Sequence, residues 1–169
     1  MTRGFSIFFI LFSGWVLFFS CRKIESYPVI PEIEYKSFTL RDTIEPELEN
    51  PGKIGELVFG FVDGDGDIGL NQPDSTSTDT TNYNLFITMY EMLDGEFIKV
   101  DEDDLETPLN YRIPYIESEG QNKTLKGEIQ VDFFYLIIKY DTIKYKFYIV
   151  DRALHKSNDQ ETDTIFFSQ

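Results

Sequence analysis

The chain has 169 residues, enough for one domain with short additions, and its 30 Asp and Glu against 15 Lys and Arg leave a net charge of −15. A surface of that sign repels phosphates and anionic lipid headgroups, so nucleic acid is excluded as a partner, while cations are favoured. Cys21 is the only cysteine, which excludes an intramolecular disulfide, a zinc–thiolate cluster and a CxxC redox pair.

The chain opens with Arg3 as the sole charge among residues 1–20, followed by an apolar run from Phe5 to Phe19 and then Ser20-Cys21. The run falls short of the roughly 20 residues of a bilayer-spanning helix. A basic start, a short apolar stretch and a small residue before the cut predict a secretory signal over residues 1–20. Phe18-Phe19-Ser20-Cys21 resembles a lipobox, with Phe18 and Phe19 standing where a Leu and a small residue are usual. On that reading Cys21 is acylated and the protein is held to a membrane by more than one acyl chain. Without the signal, 14 basic and 30 acidic residues remain, a net charge of −16. Residues 21–32, with Pro28 and Pro31, read as the lipidated Cys and a tether, and residues 33–169 as the folded domain.

From Ile33 onward the apolar residues recur with period two, the mark of strands. Ile33 and Tyr35 share one face, and Phe38 and Leu40 share the next phase, so the slip at Lys36-Ser37 predicts a β-bulge. Leu57–Val62 and Tyr83–Glu91 follow as strands, and Asp94-Gly95 is a two-residue hairpin signal leading to Phe97 and Val100. Leu109, Tyr111, Ile113 and Tyr115 alternate, with Pro114 placing that strand at an edge. Leu125–Phe133 is the most regular alternation, and Phe134–Ile138 has room for one helical turn. Thr142–Val150 and Thr164–Phe167 complete the series. About seven strands separated by turns predict an all-β fold, an immunoglobulin-like antiparallel β-sandwich. In immunoglobulin lettering, Leu57–Val62 is B, Tyr83–Glu91 is C, Leu125–Phe133 is E, Thr142–Val150 is F and Thr164–Phe167 is G. The segment Asp74–Asn82 is a low-complexity polar loop.

One motif carries chemistry: Asp63-Gly64-Asp65-Gly66-Asp67-Ile68-Gly69. Carboxylates at alternate positions, separated by glycines that allow tight positive-φ turns, can curl around one hard cation. Calcium takes six to eight oxygens. The run begins like an EF-hand loop but departs from it. Ile68 stands at the sixth position, Asp74 at the twelfth, and the flank Leu57–Val62 reads as strand. In the sandwich, loops B–C and F–G lie at the same end. Asp151 and Asn158, which follow strand F, are therefore expected to join Asp63, Asp65 and Asp67 as metal ligands. A second reading stays open: Asp and Gly are ordinary turn residues, and Arg152 can neutralise the aspartates by salt bridge with no ion.

Two motifs together, F-x-D-G-D-G-D-I-G at Phe61–Gly69 and Y-x-V-D-R-A-L-x-K-S-N at Tyr148–Asn158, resemble small uncharacterised lipoproteins of Bacteroidetes. The resemblance spans most of the chain after the signal. It implies an immunoglobulin-like lipoprotein at the outer membrane and no catalytic activity. The acidic export signal of some such lipoproteins is poorly matched by Arg22-Lys23-Ile24-Glu25, which leaves the face of the membrane open.

Catalysis is not expected. His155, the only histidine, lies in the F–G segment, where a surface loop position is expected. Neighbouring Ser157 lacks any nucleophile motif. The acidic run Asp101–Asp104 reads as a solvated loop. The sequence thus predicts a calcium-stabilised binding or structural module of the cell envelope, its partner another envelope protein or a glycan. The alternative is a small hydrolase or inhibitor acting through the aspartate loop.

Overall fold

Odd and even positions cannot share one face of a regular strand. Yet β1 (Glu32–Ile44) turns Ile33 and Tyr35 inward near its start and Phe38 and Leu40 inward further on. The expected bulge resolves the conflict. β1 pairs antiparallel with β2 (Pro51–Asp63), Tyr35 standing opposite Phe59 and Ser37 opposite Val58, so Lys36 is the extra residue. The structure, a computed structural model, describes residues 27–45, 49–72, 83–105, 107–117 and 123–167. The signal segment 1–20, Cys21 and the polar loop Asp74–Asn82 lie outside the described residues.

The remaining strands are β3 (Leu85–Leu93), β4 (Glu96–Lys99), β5 (Asn110–Tyr111), β6 (Leu125–Tyr135), β7 (Thr142–Ile149), β8 (Gln160–Glu161) and β9 (Ile165–Phe166). One sheet has the order β1-β2-β6 and the other β4-β3-β7-β8, with β5 also on β3 and β9 also on β7. β4 and β5 lie end to end along one edge of β3, and β8 and β9 end to end along the far edge of β7. The arrangement is therefore A-B-E against C′-C-F-G, the antiparallel immunoglobulin-like order that the alternation predicts.

Between the sheets sits a core of Leu57, Phe59 and Phe61 from β2, Val131 and Phe133 from β6, Leu85, Ile87 and Met89 from β3, and Ile143, Tyr145, Phe147 and Ile149 from β7. Phe59 meets Phe147 at 5.1 Å across the interface, and Phe133 stacks on Tyr145 at 4.9 Å. Each such buried side chain stabilises the fold by about 1.5–3 kcal/mol before entropy is counted.

The differences from expectation are local. Tyr83 precedes β3 and is exposed. The alternation from Leu109 to Tyr115 shrinks to β5, because the segment beyond it bonds elsewhere: the Ile113 N–H donates to Asn84 Oδ1 at 2.7 Å, and Pro114 forms a parallel bridge with Leu70. Phe134 and Tyr135 continue β6, so no helical turn forms there. The only helical element among the described residues is one 3-10 turn, Glu102–Asp104, capped by Asp101, whose carboxylate accepts from the Asp103 N–H. Asp94 and Gly95 adopt φ of 52° and 90°, as the tight hairpin requires.

Candidate metal centre

The inward alternation of β2 does not stop at its last hydrophobic residue. Leu57, Phe59, Phe61 and then Asp63 occupy successive inward positions, and Asp63 is fully buried. The same holds for β7, where Ile143, Tyr145, Phe147 and Ile149 are followed in phase by buried Asp151. Two core strands thus each deliver an aspartate to the same end of the sandwich.

Asp63 shapes the loop that follows it. Its Oδ2 accepts from the N–H groups of Asp67 at 2.7 Å and Ile68 at 3.0 Å, which folds the chain back over the strand end. Gly66 has φ of 70°, and a Cβ there would lie 1.8 Å from the Lys123 carbonyl oxygen, so only glycine fits. The Gly64 N–H donates to the Pro28 carbonyl at 2.9 Å, and Leu70 is tied to Ile113 and Tyr115 by backbone hydrogen bonds. From the other loop, the N–H of Arg152 donates to the Asp67 carbonyl at 3.2 Å, and that of Ala153 to Asp67 Oδ2 at 3.1 Å.

The outcome is a group of carboxylates facing one another. One ligand oxygen from each of Asp63, Asp65 and Asp67 lies within 4.8 Å of the others. The Oδ1 atoms of all three are buried and have no hydrogen-bond partner. Buried acceptors without donors are rare, because each forfeits its hydration. Burial pushes the Asp63 carboxyl up to about 6, and the facing Asp65 adds to the rise. Asp67 is raised by burial and by the charges of Asp151 and Asp65, against the opposing pull of Arg152. An all-oxygen, strongly negative cluster of this kind can hold a hard metal ion.

Arg152 does not neutralise it by salt bridge. Its guanidinium donates to the backbone carbonyls of Gly69 at 3.0 Å, Ile68 at 3.4 Å and Gly66 at 3.5 Å, and lies 4.8 Å above the Tyr115 ring. It braces the outside of the loop, and the three Oδ1 atoms stay without a hydrogen-bond partner.

Two expected ligands are placed otherwise. Both Asp151 oxygens are engaged by His155: Oδ1 accepts its backbone N–H at 2.8 Å and Oδ2 lies 2.9 Å from its Nδ1. The Asn158 amide is spent on Ile33 of β1, accepting from its N–H at 2.8 Å and donating to its carbonyl at 2.9 Å. Asn158 is thus a side-chain continuation of the sheet edge. The Asp151–His155 pair escaped the sequence reading, although its i,i+4 spacing was the available signal. The Ser157 hydroxyl donates to the Asn158 carbonyl and accepts from the Ile149 N–H, so its hydrogen bonds go to the backbone and not to His155.

Protein-family models, curated proteins and solved structures offer no match to this chain. The site's own chemistry is the guide to its role.

Proposed function

We propose that this protein is a membrane-anchored, non-catalytic binding or structural module of the cell envelope whose aspartate loop is rigidified by calcium. Two observations on the same residues carry the reading: Asp63, Asp65 and Asp67 each bring a carboxylate oxygen within 4.8 Å of the others, and each keeps a buried Oδ1 without a hydrogen-bond partner. Calcium suits them better than a smaller ion. It accepts irregular oxygen sets completed by carbonyls and water, whereas magnesium demands near-octahedral geometry.

The loop also sits where the tether joins. Glu32 of β1 lies opposite Val62, and the Pro28 carbonyl is bound by Gly64, so the chain leading back toward Cys21 leaves beside the aspartates. An ion there stiffens the base of the domain and sets how it stands off the membrane. The far end of the sandwich carries exposed Ile44, Leu93, Phe134, Leu136, Ile137 and Ile138, and a small cavity there, of about 90 Å³, is lined mainly by apolar and aromatic side chains such as Leu105, Leu109 and Tyr145, with Asp104 and Lys139 among the rest. An apolar end of this kind is the surface by which such a module engages another envelope component. A hydrolase would instead gather polar groups in a cleft.

Thermal unfolding of residues 26–169 in EDTA and then in millimolar calcium tests the reading. Binding to the folded state alone at a hundredfold excess over Kd stabilises by about 2.7 kcal/mol, which raises the midpoint by roughly 5 °C or more. An equal midpoint in both buffers overturns the metal site.

A further inference from the structure

Among the described residues, strand β6 is an open edge. One side of its backbone pairs with β2 throughout Leu125–Tyr135, 11 residues, and none of the described residues hydrogen-bonds to the other side. A long unpaired edge is a template for another strand. The opposite edge of the same sheet differs, because the amides of Asn158 and Gln160 occupy the backbone of β1 at Ile33 and Tyr35.

The charges on β6 indicate which strand fits. Lys126, Glu128, Gln130 and Asp132 form its exposed row. Asp132 stands directly opposite Glu56 of β2, a like-charge pairing that destabilises a sheet. The Gln130 amide, donating to both carboxylates at 3.0 Å, is what bridges them. Among the described residues neither acid has a Lys or Arg in ion-pair distance, and Lys126 has no carboxylate. The Lys126 ammonium lies 5.9 Å above the Tyr27 ring.

A second β6 supplies both missing partners. Antiparallel pairing about a two-fold axis keeps inward faces inward only when positions of like parity stand opposite each other. Centred on Ile129, it overlaps Leu125–Phe133 of both copies, sets Lys126 opposite Asp132 twice and Glu128 opposite Gln130 twice. Centring on Glu128 sets Glu128 against itself, and centring on Gln130 sets Glu128 against Asp132. Centring on Gly127 pairs Lys126 with Glu128 but leaves Asp132 and Glu56 uncompensated and shortens the overlap.

We propose that β6 pairs antiparallel with β6 of a second copy about a two-fold axis at Ile129, joining the two three-stranded sheets into one. The test uses the full chain in mild detergent. Ile129→Cys in a Cys21→Ser background should give a disulfide-linked dimer on mild oxidation, because opposed residues in such a pair have the Cα spacing of a disulfide. Glu34→Cys, on the other edge, should not. By sedimentation equilibrium, Lys126→Asp and Asp132→Lys should each weaken dimerisation about tenfold, since both ion pairs become repulsions, and the double swap should restore it. The micelle can itself hold two apolar N-terminal segments together, and a dimer made that way leaves position 129 unlinked and ignores the charge swaps. That result, or a monomer at every concentration tested, overturns the proposal.

Discussion

Asp63 combines two roles in one carboxylate: Oδ2 holds the backbone of Asp67 and Ile68, while Oδ1 is buried without a hydrogen-bond partner. Without metal, ionising it in the fold is unfavourable. Its folded value of about 6 exceeds the ordinary 3.8. The stability linked to this group is therefore full below 3.8 and is lost as pH rises through about 6. A bound cation reverses the preference by favouring the ionised form. The calcium-induced rise in midpoint is expected to be large at pH 7.5 and to shrink at pH 5, where protons compete, as calorimetry at the two pH values can measure. Asp63→Asn keeps an acceptor for the loop but removes the charge. In EDTA at pH 7.5 it should unfold at the same or a higher temperature than the parent, and it should no longer respond to calcium. Gly66→Ala is expected to cost at least about 2 kcal/mol by urea unfolding, since positive φ and a backbone clash coincide.

At the scale of the strand, alternation decides what is buried, and Lys36 decides the alternation of β1. Deleting Lys36 removes the bulge and turns either Ile33 and Tyr35 or Phe38 and Leu40 to solvent. The expected loss is about 2–4 kcal/mol for two side chains that the sandwich buries wholly (Ile33) or in part (Tyr35, Phe38, Leu40), read as a lower denaturation midpoint. Phe59→Ala should cost about 3–5 kcal/mol, because Phe59 is fully buried against Phe147. Strands with several alternating residues were legible in the sequence, and so was the bulge. Strand β8 was not. It has two residues, Gln160 and Glu161, and no apolar pattern. Its place is set from outside by Thr162, whose N–H donates to the Tyr145 carbonyl and whose hydroxyl accepts from the Tyr145 N–H.

For the molecule as a whole, the sheets are joined at one edge by side chains as well as by the core. Asn158 and Gln160, from the end of the second sheet, hydrogen-bond the backbone of β1 in the first. Asn158→Ala is expected to destabilise the domain by about 1–3 kcal/mol by chemical denaturation while leaving the calcium-induced shift intact. Asp65→Ala should do the opposite, abolishing the shift with little effect in EDTA. That pair of outcomes separates the sheet-edge staple from the aspartate loop, which the sequence reading had merged.

The sequence by itself determined the all-β class, the positions of the long strands and the candidacy of Asp63, Asp65 and Asp67. Each of these is encoded locally, by alternation along one strand or by spacing within one loop. Only the tertiary structure decided which oxygens stay unpaired. Asn158 was turned to Ile33, and Arg152 to the carbonyls of Gly66, Ile68 and Gly69. The physical reason is that a polar side chain near a sheet end bonds whichever backbone group folding brings to it, often from more than 80 residues away, and period-two patterning carries no record of that neighbour.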